Sequence, residues 1–137
     1  MTEKSLRSFG LLAASLFATA LAGPAALADS AGITLSEGDK FGEKSGEELY
    51  ASVCAACHMD QGQGATGAGN YPALAGNENL AAGSYPVYVV LHGFKNMPAV
   101  GQMMSDEQVA AVVNYVRTHF GNDYQDAVKP EDVAASR

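Results

Sequence analysis

The sequence predicts an all-helical domain, and three observations carry that prediction. Val109, Val112, Val113, Val116 and Phe120 recur at the spacing of one buried helical face. Ser45 and Ser105 each stand three residues before Glu48 and Gln108, the capping-box pattern of a helix start. Elsewhere no alternation of apolar and polar residues runs longer than a few positions. At 137 residues the chain has room for one ordinary domain.

The first segment is expected to be lost before folding. Lys4 and Arg7 give a positive start, and Phe9 to Ala22 is apolar except for Gly10, Ser15 and Thr19. Gly23-Pro24 ends any helix, and Ala26-Leu27-Ala28 places small residues where a signal peptidase reads them. Residues 1–28 are therefore read as a cleaved signal peptide. The apolar run is shorter than the roughly 20 residues a membrane span needs, so no stable span is expected. Residues 29–42 have no clear period and are read as a flexible N-terminal arm.

Ser45 opens the first helix, with Leu49 and Val53 four residues apart on one face. From Gln61 to Gly83 the texture changes: six glycines fall at 62, 64, 67, 69, 76 and 83. That is a loop, and so long a loop in a small domain must wrap something. Ser84 and Pro86 open a short helix, Pro86 to His92, closed by Gly93. Ser105 caps the last helix, Asp106 and Glu107 sit at the positive end of its dipole, and Gly121 ends it. Residues 123–137 are polar and read as a loosely held C-terminal tail. The domain proper is thus 43–122.

Composition limits partners. Eight basic and fifteen acidic residues give a net charge of −7. Two of those bases and one acid lie in residues 1–28, so without that segment the charge is −8. Nucleic acid is not an expected partner, because neutralising phosphates needs clustered Lys and Arg. A protein partner's docking face should be basic or apolar. The core also looks short of material: residues 43–122 hold 13 Leu and Val and no Ile.

Cys54-Ala55-Ala56-Cys57-His58 is the informative motif. Cys-x-x-Cys-His is the attachment sequence of c-type haem. Two thiols three residues apart on a helical turn can reach the two vinyl groups along one side of a porphyrin. The next histidine then projects under the ring towards iron. Three other readings compete. A redox-active dithiol wants a strand before the motif, zinc wants further soft ligands than His92 and His119, and a disulfide of this spacing closes too small a loop to stabilise much.

For a sixth iron ligand the candidates are Met59, Met97, Met103, Met104, His92 and His119. Met59 adjoins His58 and cannot reach the opposite face. His119 reads as a surface cation at a helix C-terminus, and His92 as solvent-facing. Met104, just before the N-cap, should pack on Val109 as a hydrophobic staple. Met103 sits one residue further from that cap. Met97 precedes Pro98 in an interhelical loop, and proline restricts it to extended backbone. A thioether on so stiff a loop suits an axial ligand, and a His-Met pair raises the redox potential.

With these pieces in order, the chain resembles the small soluble cytochrome c family over about residues 43–122. The pieces are Gly46-Glu47-Glu48-Leu49-Tyr50 before the Cys-x-x-Cys-His motif, Tyr71 to Asn77, Met97-Pro98-Ala99, and Ser105 to Arg117. The resemblance implies helices around one covalently bound haem c, with Cys54 and Cys57 as tethers and His58 and Met97 as iron ligands. It implies that Gly46 and Tyr50 pack against Tyr115, that the Pro72 carbonyl accepts a hydrogen bond from His58, and that Leu74 lies against the proximal haem face. Val100, where such relatives often carry an aromatic, and Met103-Met104 depart from the pattern. The likeness is greatest to cytochrome subunits of periplasmic dehydrogenases. It implies a bacterial periplasmic one-electron carrier, not itself an enzyme. Such a carrier receives electrons from a dehydrogenase and passes them to an oxidase or another cytochrome of the respiratory chain. From small-residue composition alone, its exposed haem edge is expected near Ala55, Ala56, Gly62 and the alanine-glycine stretch after it.

Overall fold

The computed structural model describes residues 40–67 and 69–137. The expected signal peptide and nearly all of the expected N-terminal arm lie outside the described residues. Of the arm's end, Phe41 is half-buried and donates its N–H to Met103 O at 3.3 Å.

Ser45 does what its position predicts. Its hydroxyl accepts from Glu48 N–H at 3.1 Å, and its own N–H donates to the Glu48 carboxylate at 3.1 Å. The backbone donor of Ser45 holds the Glu48 carboxyl below its ordinary range. The helix it starts is not uniform. α1 (Gly46–Leu49) passes into a π turn (Tyr50–Cys54) and then into α2 (Ala55–His58). Ala55 N–H reaches back five residues to Tyr50 O. The wider turn buries Leu49 and Tyr50 and leaves Val53 and Cys54 half-buried. Single π turns of this kind recur at functional sites.

α3 (Ser84–His92) ends at Gly93, whose φ of 75° is the left-handed region glycine favours. α4 (Asp106–Thr118) starts with the expected capping box between Ser105 and Gln108. Its Val109, Val112, Val113 and Val116 are buried. α1 crosses α4 at Gly46, where a Cβ would run into Ala111 O and lie 2.7 Å from Tyr115 Cβ. Only glycine permits that approach. One turn on, Tyr50 packs against Tyr115 and Phe120, with ring centroids 5.7 and 4.7 Å apart. Met104 and Val109 lie in the same core, as a staple requires.

Two findings correct the predicted architecture. The glycine-rich loop contains a small antiparallel sheet, β1 (Ala65–Thr66) paired with β2 (Asn70–Tyr71) in the register Ala65 to Tyr71 and Thr66 to Asn70. The described residues are therefore helical with one small two-stranded sheet. Such strands are too short to show any alternation in sequence.

The expected C-terminal tail is also not loose. It forms α5 (Pro130–Ala134), and Val128 and Val133 are buried in the core. Three polar residues of α4 reach the segment. Asn114 pairs both ways with the backbone of Val128, at 2.8 Å in each direction. Arg117, fully buried, donates to Leu80 O, Ala81 O and Asp126. Asp106 takes Arg137 at 2.6 Å. No described helix is long and apolar enough to cross a membrane.

Candidate haem site

His58 closes α2 and is 7% exposed. Its Nδ1 lies 2.9 Å from Pro72 O. A carbonyl can only accept, so Nδ1 carries the proton and Nε2 keeps a free lone pair for a metal. The partnership expected from the resemblance is present in geometry, and the intervening loop explains it. Gly64 N–H donates to His58 O at 3.0 Å. Gly64 has φ of 66°, and a Cβ there would run into Tyr71 O and lie 2.7 Å from Ala73 N. The glycine thus lets the Tyr71-Pro72 backbone fold directly over the end of α2.

Further bonds hold the loop. Leu74 and Ala75 both donate to Gly62 O, at 2.7 and 2.9 Å. Leu74 is half-buried against the core. Asn122, which sequence reasoning did not single out, donates to Leu74 O and Val116 O at 2.9 and 2.8 Å and accepts from Asn77 N–H at 2.9 Å. It joins the loop to the end of α4. Its only sequence signal is its place after Gly121, where a buried amide is not distinguishable from a surface one. Tyr50 Oη donates to Met59 O at 2.6 Å, just past His58, and burial pushes the phenol up to about 12.

Cys54 and Cys57 are half-buried free thiols. Burial, then the neighbouring Cys57, pushes Cys54 up to about 11. A redox-active dithiol is favoured by a strand before the motif and a depressed thiol, whereas here a continuous helical run from Gly46 leads into it. Nor is there, among the described residues, a cluster of three or more His, Cys, Asp or Glu able to hold a metal ion such as structural zinc. Ala56 is exposed, but Ala55 packs against the core and Gly62 is buried beneath Phe120 and Ala75. Of the small-residue patch expected at a haem edge, Ala56 is exposed, as is Gly67 in the stretch after Gly62.

Met97 stands on a separate loop between α3 and α4 and is half-buried. Phe94 and Met97 exchange backbone hydrogen bonds at 3.1 and 3.0 Å around a two-residue turn in which Lys95 has φ of 53°. Gly93 must be glycine here as well: a Cβ would lie 2.6 Å from Met97 O. Of the competing ligands, Met104, His92 and His119 are engaged elsewhere. Met104 is in the core and Met103 is exposed. His92 is exposed with Nε2 2.9 Å from Ser136 O. His119 is exposed, stacked on Tyr115 with its Nδ1 2.8 Å from Tyr115 O.

The residues fit a haem. The donor set is two thiols, one imidazole oriented through Nδ1, and a thioether on a two-residue turn. Large apolar side chains flank both ligand candidates: Tyr71 beside Pro72 is 39% exposed, and Phe94, paired with Met97, is 50% exposed. Such side chains suit contact with a large apolar ring.

A family model described as cytochrome C oxidase, cbb3-type, subunit III matches residues 42–116. The chain is 36% identical over 92 residues to the fructose dehydrogenase cytochrome subunit of Gluconobacter japonicus, covering 56% of this chain and 19% of that protein. It is 33% identical over 106 residues to the gluconate 2-dehydrogenase cytochrome c subunit of Pantoea cypripedii, covering 69% of this chain and 24% of that one. It is 39% identical over 93 residues to cytochrome c-552 of Thermus thermophilus, covering 56% of this chain and 69% of that protein. The chain thus spans a quarter or less of the two dehydrogenase subunits and over two thirds of the small cytochrome. It belongs to this family, one of c-type cytochrome domains, and its cofactor is covalently bound haem c, to whose attachment motif Cys54 and Cys57 conform.

Proposed function

We propose that the chain is a one-electron carrier with a single haem c. Cys54 and Cys57 are its thioether tethers, and His58 and Met97 its iron ligands. The single observation that carries this reading is the 2.9 Å contact from His58 Nδ1 to Pro72 O. It fixes the tautomer that leaves Nε2 for iron and raises the basicity of the ring. The haem, when bound, supplies an Fe(II)/Fe(III) couple at a potential raised by the methionine. The protein's own residues do the rest. Pro72 orients His58, Leu74 lies against the proximal face, and the Phe94–Met97 turn presents the thioether. The electron-transfer domain is 43–122, preceded by a cleaved export signal at 1–28. The carrier works in a bacterial periplasm and takes electrons from a dehydrogenase towards the respiratory chain. The names of the two dehydrogenase relatives support a dehydrogenase as the donor.

Two measurements test the reading. Export-competent expression followed by a pyridine haemochrome assay should give one covalent haem per chain, and none in a Cys54→Ala/Cys57→Ala variant. The oxidised protein should show the far-red band of methionine-ligated iron, and Met97→Ala should lose that band while keeping its haem. A wild-type protein without the band, binding carbon monoxide rapidly when reduced, would instead be a gas-binding haem protein.

A further inference from the structure

Residues 117–137 lie beyond the segment that the family model matches. Their last two residues nevertheless reach the loop that carries Met97. Arg137 Nη2 donates to Met104 O at 2.8 Å, Nη1 to Gly101 O at 3.3 Å, and Nε to Asp106 Oδ1 at 2.6 Å. Ser136 O lies 2.9 Å from His92 Nε2 and accepts from it. His92 is the last residue of α3, before the loop. Gly101 and Met104 belong to the 3-10 turn (Val100–Met103) and its cap, after the loop. One dipeptide therefore spans both ends of the 93–104 segment.

The anchor behind this dipeptide is firm. α5 is fixed by Val133, which is fully buried, and by Val128. The Arg137 and Asp106 side chains are each only about one third exposed, at 33% and 30%. On its inner side the loop is tied to α3 independently. Gln102 Nε2 donates to Leu91 O at 2.9 Å, and Gly101 sits where a Cβ would lie 2.9 Å from Val90 O. The 3-10 turn is thus held between α3 and Arg137. The Phe94–Met97 turn, by contrast, has only its own two backbone bonds.

We propose that Arg137 is a positioning residue for Met97, and that residues 128–137 form a clasp that sets how readily the thioether leaves iron. The proposal rests on Met97 being an iron ligand. A thioether is a weak, neutral ligand, so its retention depends on the stiffness of the backbone that presents it. Outer contacts that orient a ligand are commonly worth about 10–100-fold in metal binding.

The test uses the haem-loaded full chain. Imidazole is added to the ferric protein, and displacement of methionine is followed by loss of the far-red band. Arg137→Ala should displace about tenfold faster than wild type, at the low end of that range. Arg137→Lys, keeping charge but not the fork, should fall between the two. Amide hydrogen exchange at Gly101 to Met104 should accelerate in Arg137→Ala by a similar factor, while exchange in α4 and the melting midpoint change little. Unchanged displacement in Arg137→Ala with the band present overturns the clasp and leaves Met97 as the ligand. A wild-type protein lacking the band overturns the Met97 reading itself, and the clasp with it.

Discussion

His58 and Met97 are held in very different ways. His58 is buried, and the loop that follows it returns to the helix at Gly64, Gly62 and Pro72 before Asn122 ties it to α4. Met97 sits on a two-residue turn whose neighbours Phe94, Lys95 and Asn96 are exposed. Its external supports begin only at Gly101, four residues on. The histidine side is therefore prebuilt by the chain, and the methionine side is a short turn hung between two anchors. Met97, the proposed thioether ligand, thus lies on the looser side, where opening costs least.

The far end of the histidine-side loop offers the largest effect. Arg117 is fully buried and donates to Leu80 O and Ala81 O at 2.8 and 2.9 Å. Arg117→Met fills similar space but leaves those carbonyls without donors and frees Asp126. From the cost of unmade hydrogen bonds, about 2–4 kcal/mol of stability should be lost in denaturant unfolding. The far-red band of the surviving folded protein should stay, because Arg117 bonds to no residue of 93–104, and Val128 and Val133 still hold the segment that carries Arg137. If that band disappears first, the two sides are coupled and the comparison fails.

Two glycines make a matched pair one step smaller. Gly64 and Gly93 both have positive φ, and a Cβ at either would press on a carbonyl, Tyr71 O or Met97 O. Alanine at each should cost about 2 kcal/mol, from the left-handed backbone and the added overlap. The readouts should differ. Gly64→Ala displaces the Pro72 backbone and should lower the melting midpoint and the haem yield. Gly93→Ala displaces Met97 and should weaken the far-red band with a smaller drop in melting. Identical behaviour of the two variants would mean that the sides are equally rigid.

How much of this was legible in the sequence depended on how local the cause was. Both capping boxes and the valine face of α4 rest on residues within one turn of each other, and each appears as read. The close crossing at Gly46 and the His58–Pro72 contact followed from family likeness and are present in geometry. The π turn was not legible, because Tyr50 to Cys54 suits either winding and the choice is made by packing on α4. The β1–β2 pair is only two residues per strand. The segment after Gly121 looked like a polar tail because its anchors are few and distant. Val128 and Val133 are two apolar residues among many polar ones, and the α4 residues Asn114, Arg117 and Asp106 hold Val128, Asp126 and Arg137 of that segment. Arg117 in particular reads as surface charge in any periodicity argument, since its burial needs three acceptors from elsewhere in the chain.

The smallest effect isolates one bond on the histidine side. Tyr50 Oη donates to Met59 O at 2.6 Å, immediately after His58. Tyr50→Phe removes that bond and should cost about 1 kcal/mol at neutral pH. The phenol ordinarily ionises at 10.0, and burial moves it to about 12 in the folded chain. Below pH 10 both folded and unfolded chains keep the proton, so the contribution of Tyr50 is complete. Between 10 and 12 the unfolded chain releases its proton while the folded chain retains it, so stability falls as pH rises through that window. Phenylalanine carries no such proton. The stability gap between wild type and Tyr50→Phe should therefore be constant up to about pH 10 and close above it. A gap that widens with alkali would mean that the phenolate is favoured in the folded chain, and that the region beside His58 is wetter than its packing implies.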